Sequence, residues 1–207
     1  MAVTAFEYPS QPHQRRHGPR GYRRSTSFKP WLRDEFMFRC VYCLCRERWL
    51  PDGDDHFSVD HFIPQSLSPD RRGDYENMLY ACCQCNAGKQ DCAWLPDPCE
   101  ESLATHLHVS DDGEIHGLTP EGLAFIKVCR LDRPKLTAFR RGMIAILGKL
   151  SKHENYDGAL LIRNCMGFPD NLPRLETLRP PGGNARPGGV ATSASELRNR
   201  GELPEIY

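Results

Sequence analysis

Apolar and polar positions in the first third of the chain predict one short helix followed by one strand. Pro30 suits the first turn of a helix. The apolar side of this helix would consist of Trp31, Leu32, Phe36 and the neighbouring Phe38. Residues 57–63 alternate at first between apolar and polar side chains, as a half-buried strand does, and Pro64 would end that strand.

The middle of the chain has a weaker pattern. Residues 76–85 predict a short ordered turn with Met78 and Leu79 facing inward, and a helix is expected to begin near Asn86 or the next residue. Residues 96–118 show no clear period, so we expect irregular structure there.

The second half of the chain predicts two helices. Thr119 is a suitable N-cap, because Pro and Glu follow it, and the helix should end near Cys129. A second helix should begin at residues 132–134. Its apolar positions are spaced by three and four: Leu136, Phe139, Met143, Ile146, Leu147 and Leu150. We interpret both helices as packing elements that cover a smaller domain.

Proline and glycine recur from Pro169 to the end of the chain, including the runs at 180–183 and 187–189. This composition predicts a tail that is disordered, or ordered only against a partner.

The cysteine content indicates metal binding. Ten of the 207 residues are cysteine. The first ten residues lack a signal pattern and no apolar run reaches the length of a membrane helix, so we expect an intracellular, cytoplasmic protein with no membrane contact. Cysteines in a reducing compartment favour metal over disulfides. In a secreted protein the same cysteines would indicate a disulfide framework.

The net charge of zero conceals two basic regions around an acidic centre. Residues 1–48 carry 10 Lys and Arg against 4 Asp and Glu, residues 49–121 carry 3 against 15, and residues 122–207 carry 14 against 8. An acidic centre suits cation binding and repels phosphate unless metal and the basic flanks offset the repulsion. The arginine-rich segment at 15–24 could follow a phosphate backbone, or it could be a solvated tail.

Two pairs of cysteines have the spacing of zinc ligands. Cys40 and Cys43 form one C-x2-C pair, and Cys82 and Cys85 form the other. Each tight turn can direct two sulfurs to one tetrahedral zinc ion, and four thiolates would make that zinc structural. Cys45 and Cys83 complicate this assignment, because each also forms a pair with one-residue spacing, which suits a single tetrahedral ion less well. The remaining cysteines lack partners, and we interpret them as buried small apolar residues: Cys92, Cys99, Cys129 and Cys165.

The motifs around these cysteines resemble a known family. A C-x2-C pair is followed by Asp-His-Phe-Ile-Pro at 60–64, by Glu-Asn-Met-Leu at 76–79, and by Cys-x2-Cys-Asn-Ala-Gly-Lys at 82–89. This order resembles the signature of the HNH endonucleases, and more narrowly their zinc-containing, McrA-like branch. The resemblance covers about residues 31–90. It implies an α+β fold with a small ββα-metal, treble-clef-like core, a four-cysteine zinc site and added packing helices.

The resemblance also implies a role for each motif residue. His61 would be the general base, and Asp60 and Asn86 would hold a catalytic Mg²⁺ or Mn²⁺ ion. Asn77 would hold the loop so that His61 faces the attacking water. Lys89 could contact phosphate or could be a solvated lysine. Asn77 could equally be a turn or cap residue, and Asn86 could be a helix N-cap.

A second Asp-His pair, Asp55-His56, competes for the role of general base. It follows an acidic turn instead of lying on the strand, and no Ile-Pro comes after it, so we favour His61.

These observations predict a metal-dependent endonuclease that hydrolyses phosphodiester bonds of DNA, with RNA as the less favoured substrate. The family resemblance also implies a role in restriction or anti-phage defence, in which a partner ATPase or sensor could take part. The alternative is a non-catalytic zinc module that binds nucleic acid or protein. The expected organisation is a basic extended arm (1–29), the HNH ββα-metal zinc domain (30–95), a helical extension (96–168) and the tail (169–207).

Overall fold

The fold is α+β, with two two-stranded antiparallel sheets and seven α-helices in residues 5–152 and 156–207, the part of the chain that the computed structural model describes. The strands are β1 (Phe57–His61), β2 (Met78–Cys82), β3 (Leu107–Val109) and β4 (Ile115–Gly117). The helices are α1 (Lys29–Glu35), α2 (Cys83–Lys89), α3 (Pro120–Val128), α4 (Pro134–Leu150), α5 (Tyr156–Met166), α6 (Gly188–Ala191) and α7 (Ala194–Asn199). Within these ranges no helix is both long and apolar enough to cross a membrane.

A ββα unit lies at the centre of the fold. β1 pairs with β2 in antiparallel register from Phe57 opposite Cys82 to His61 opposite Met78. The predicted strand at 57–63 is confirmed for residues 57–61, whereas β2 was expected to be only an ordered turn. All five residues of β2 are buried, so the strand has no alternation of polar and apolar positions that could have predicted it. α2 starts at Cys83, directly after β2 and before the predicted start.

α1 covers one side of this unit and is confirmed as the short helix that begins around Pro30. Trp31 and Leu32 are fully buried in the main hydrophobic core. The helix ends at Glu35, and the backbone then reverses through Phe38, whose φ is 56°. This turn brings the chain from the helix into the first cysteine pair.

α3 and α4 are confirmed as predicted helices. The Thr119 side chain caps α3 by accepting a hydrogen bond from the Gly122 amide at 3.1 Å. The prediction of irregular structure at 96–118 is wrong in part, because β3 and β4 form a hairpin there. Strands of three residues are too short to give a period that can be recognised. The sequence pattern also misses α5. The Trp49 side chain holds this helix by donating a hydrogen bond from its Nε1 to the Cys165 carbonyl at 2.8 Å.

The basic N-terminal segment is packed against α1 instead of extending into solvent. His17 is fully buried, and its Nε2 lies 2.8 Å from Asp34 Oδ2. Arg16 also pairs with Asp34 at 2.8 Å. Neither predicted alternative, a phosphate-binding arm or a solvated tail, therefore describes this part of the segment. Arg20, Arg23 and Arg24 are exposed.

The predicted disorder of the C-terminal tail is also corrected. The amide of Ala194, at the start of α7, donates to Asp34 Oδ1 at 2.7 Å, and Ser193 and Ala194 are buried. The high content of proline and glycine is compatible with order here because the tail packs on α1 of its own chain.

Glu35 at the end of α1 is the main anchor for the N-terminal segment. Its carboxylate accepts hydrogen bonds from the Arg16 amide at 2.7 Å, the His17 amide at 2.9 Å and the Tyr75 hydroxyl at 3.0 Å, and it pairs with His13 at 2.9 Å. Burial on its own would raise the pKa of Glu35, but these partners outweigh burial and lower the pKa to about 2.

The depressed pKa of Glu35 should therefore make the free energy of unfolding depend on pH. Because its pKa is depressed, the ionised Glu35 carboxylate stabilises the fold above the ordinary carboxyl pKa. This contribution is lost as the pH falls from about 4 to about 2. A shift of this size corresponds to about 3 kcal/mol. We expect Glu35→Gln to lower the free energy of unfolding at pH 7 by roughly this amount and to flatten its fall between about pH 5 and pH 2, measured by urea titration. Glu202 is exposed, so Glu202→Gln should behave like wild type. If the free energy of unfolding of Glu35→Gln falls between about pH 5 and pH 2 as steeply as that of wild type, Glu35 is not the source of the acid sensitivity.

Candidate functional site

The first cysteine pair lies in a tight turn between α1 and β1. The Cys40 amide donates to the Cys45 carbonyl at 2.8 Å, and the Leu44 amide donates to the Cys40 carbonyl at 2.9 Å. Leu44 has a φ of 62°, which reverses the chain. The Cys43 amide also points at Cys40 Sγ, 3.5 Å away. The second pair is supplied by the end of β2 and the first turn of α2.

The four sulfurs of the two pairs form one cluster. The Sγ atoms of Cys40, Cys43, Cys82 and Cys85 all lie within 4.8 Å of one another and are buried, and the Cys43 and Cys82 sulfurs are 3.7 Å apart. Zn–S bonds of about 2.3 Å in a tetrahedron place neighbouring sulfurs about 3.8 Å apart, so the cluster fits a structural zinc ion. Among the described residues this is the group of three or more His, Cys, Asp or Glu side chains whose ligand atoms lie close enough together to hold a metal ion.

This geometry decides between the possible cysteine registers. Cys83 is exposed, and Cys45 is half-buried outside the cluster. Cys129 is buried and Cys92, Cys99 and Cys165 are half-buried, and all are free thiols. The predicted set of Cys40, Cys43, Cys82 and Cys85 is therefore the set that the structure brings together.

Asn77 closes the loop between β1 and β2. Its Oδ1 accepts from the Ile63 amide at 2.8 Å, and its Nδ2 donates to the Ile63 carbonyl at 3.0 Å. The Asn77 carbonyl also accepts from the Phe62 amide at 2.8 Å. A buried asparagine with both ends of its amide engaged fixes the backbone two residues after His61.

His61 is half-buried at the end of β1. Its Nε2 lies 3.0 Å from the Arg72 carbonyl, and its Nδ1 lies 3.0 Å from the Gln65 side-chain nitrogen. A carbonyl only accepts hydrogen bonds, so Nε2 carries the proton in this arrangement. Nδ1 then holds the lone pair, and Gln65, an exposed side chain, contacts it.

Asp60 directly precedes His61 on β1 and is buried. Only 4% of it is exposed. The Tyr42 hydroxyl donates to Oδ2, and Lys89 Nζ lies 3.4 Å from Oδ1. Burial raises the pKa of Tyr42 well above its usual value and the charge of Asp60 raises it further, so Tyr42 is the donor. A carboxylate has about four acceptor positions, so two donors leave Asp60 able to bind a cation.

Asn86 reaches β1 from α2. Its Nδ2 donates to Ser58 Oγ at 2.9 Å and approaches the Val59 carbonyl at 3.4 Å. These contacts use the amide nitrogen, so Oδ1 is the atom that could bind a cation. One carboxylate and one amide oxygen from facing elements fit a Mg²⁺ ion that keeps several water ligands.

Comparison with known proteins agrees with this geometry. Residues 40–91 match the family model described as HNH endonuclease. The chain contains an HNH domain. A search of curated proteins found no match. The matched range of the HNH domain includes both cysteine pairs, β1, β2 and α2, and it supports a nuclease that acts on DNA.

The position of Lys89 in the HNH domain differs from both alternatives considered for it. Lys89 is 1% exposed, and its Nζ donates to the His61 carbonyl at 3.0 Å besides contacting Asp60. It is therefore not a solvated lysine, and its amine has no open side for a phosphate. The prediction of a phosphate contact is corrected: Lys89 joins α2 to β1.

Two groups in the HNH domain were not anticipated from the sequence. Tyr42 contacts Asp60, and the Arg72 carbonyl orients His61. Tyr42 lies between two cysteines of the motif, but nothing in the spacing indicates that its hydroxyl reaches β1. A backbone carbonyl has no sequence signal at all.

Replacement of Asn77 should disrupt the HNH domain locally. Asn77→Ala removes two hydrogen bonds to Ile63 and leaves its backbone groups without these partners, which should cost about 1–3 kcal/mol of unfolding free energy. Urea titration measures this loss, with the exposed Asn199→Ala as control. Equal stability of Asn77→Ala and wild type would contradict a clamping role.

Proposed function

We propose that the HNH domain is a metal-dependent endonuclease that hydrolyses phosphodiester bonds of DNA. The observation that carries this proposal is the orientation of His61. The Arg72 carbonyl holds the Nε2 proton, which leaves the Nδ1 lone pair for the attacking water. This arrangement lies within a domain whose family model is that of a nuclease.

His61 would act as the general base. Its Nδ1 takes the proton from a water that attacks phosphorus in line with the leaving oxygen. The hydrogen bond from Nε2 to the Arg72 carbonyl stabilises the protonated ring. Asn77 keeps the backbone at Ile63 in place, so the ring cannot turn away with the loop. Gln65 must release Nδ1 when water binds.

Asp60 and Asn86 would hold the catalytic ion. When bound, a Mg²⁺ or Mn²⁺ ion would neutralise charge on the phosphate and on the leaving oxygen. Arg72 is exposed beside His61 and is the cation that we assign to the phosphate backbone, because Lys89 is buried and Arg71 pairs with Asp74. The products would be a 5′-phosphate and a 3′-hydroxyl.

The test is a cleavage assay on supercoiled plasmid, linear duplex, single-stranded DNA and RNA. The full chain should nick or cut DNA with Mg²⁺ or Mn²⁺ and lose this activity in a chelator that spares the zinc site. Binding of DNA without cleavage in any metal would instead support the non-catalytic zinc module. A role in restriction or anti-phage defence, a partner ATPase or sensor, and membership of the McrA-like branch stay predictions from the family resemblance.

A further inference from the structure

Tyr42 connects the two halves of the candidate site. It lies inside the first cysteine turn, between Cys40 and Cys43, and is fully buried. Its hydroxyl donates to Oδ2 of Asp60, on β1. Lys89 approaches the other carboxylate oxygen, Oδ1, at 3.4 Å. The Asp60 carboxylate is thus held from one side by the cysteine turn and from the other by α2.

The position of Tyr42 is itself fixed by its surroundings. The Tyr8 hydroxyl donates to the Tyr42 carbonyl at 2.6 Å. The amide of the preceding residue, Val41, donates to the Tyr80 carbonyl of β2 at 3.0 Å. The Tyr42 ring packs edge-on against Phe125 with ring centroids 5.6 Å apart. The hydroxyl therefore cannot follow the Asp60 carboxylate if that group turns, so it sets the carboxylate's orientation.

We propose that Tyr42 is a positioning residue that transmits the geometry of the four-cysteine cluster to the metal-binding carboxylate of Asp60. The inference rests on the proposed function, since it takes Asp60 as a ligand of the catalytic ion. A free carboxylate rotates about its terminal bond, and a hydrogen bond on Oδ2 removes that freedom, so the remaining acceptor positions face in fixed directions. Metal affinity at Asp60 should then depend on a hydroxyl that touches neither the ion nor the nucleic acid.

The test compares Tyr42→Phe with Tyr8→Phe in the full chain. Both changes remove one buried hydroxyl beside the cysteine turn, but only the first removes the contact with Asp60. Mn²⁺ binding is measured by electron paramagnetic resonance without nucleic acid, and zinc content by atomic emission. We expect Tyr42→Phe to keep its zinc and to bind Mn²⁺ roughly tenfold or more weakly. The Mg²⁺ concentration for half-maximal cleavage should rise by a similar factor, and high Mg²⁺ should restore most of the rate. Tyr8→Phe should stay close to wild type in Mn²⁺ affinity, because the Val41 amide bond to β2 and the Phe125 ring still hold Tyr42 in place.

Each contrary result has a distinct meaning. Equal Mn²⁺ affinity and equal Mg²⁺ dependence in Tyr42→Phe and Tyr8→Phe would overturn the inference while leaving the proposed function intact. Loss of zinc or of the folded state in Tyr42→Phe would also overturn it, because the hydroxyl would then serve the fold and not the orientation of Asp60. A wild-type chain that neither binds Mn²⁺ nor cleaves DNA would overturn the proposed function, and the inference with it.

Discussion

Replacement of His61 by alanine is expected to reduce metal-dependent DNA cleavage by roughly 10²–10⁴-fold, the contribution typical of a general base. The imidazole lies at the end of β1 and keeps a lone pair on Nδ1 that can take a proton from the attacking water. The change should leave the fold intact, because the ring is half-buried and its hydrogen bonds go to the Arg72 carbonyl and to the exposed Gln65. Initial rates of plasmid nicking at saturating Mg²⁺ measure the effect.

The chain provides a matched control in His56. It also follows an aspartate, but it lies in an exposed turn before β1 and was the competing candidate for the base. His56→Ala should cleave at the wild-type rate. A folded His61→Ala protein with undiminished cleavage activity would contradict the assignment of His61 as the general base. A loss of activity in His56→Ala alone would assign that role to His56.

The parts of the site that were predictable are those that depend on local spacing. A two-residue spacer between cysteines brings two sulfurs together whatever surrounds them, so the four-cysteine cluster could be predicted from the motif alone. The placement of His61 near the end of a strand followed from the alternation at 57–63 and from Pro64. These features are properties of short stretches of chain.

The parts that were missed depend on contacts between distant residues. Asp34 on α1 binds His17, which is 17 residues away, and the Ala194 amide, which is 160 residues away. Composition predicted an extended N-terminal arm and a disordered C-terminal tail, because arginine, proline and glycine are common there, and it carries no information about a buried carboxylate elsewhere. The burial of Lys89 was missed for the same reason, since its partners lie on β1. Local patterns therefore failed where buried charges pair over long distances in the sequence.

The exchange of Cys82 for serine should have the largest effect on stability. Cys82 is the last residue of β2, and its sulfur lies 3.7 Å from that of Cys43. A zinc ion held by the four sulfurs would join the cysteine turn to β2 and α2. Structural zinc contributes about 10–16 kcal/mol of binding free energy in zinc-finger peptides, which is as large as the whole stability of an ordinary domain at about 5–15 kcal/mol. We expect Cys82→Ser to lose its zinc and most of its cooperative thermal unfolding transition.

Cys83→Ser is the control for this prediction, because Cys83 is the next residue, is exposed and lies outside the cluster. It should keep its zinc and the wild-type melting temperature. Atomic emission gives the zinc content, and thermal unfolding with and without a strong chelator gives the stability that depends on metal. Retention of zinc and melting temperature in Cys82→Ser would contradict the cluster, whereas equal losses in both variants would indicate that Cys83 also acts as a ligand. Because Tyr42 lies inside the same cysteine turn, loss of zinc should also release Asp60, so stability and catalytic metal binding should fail together.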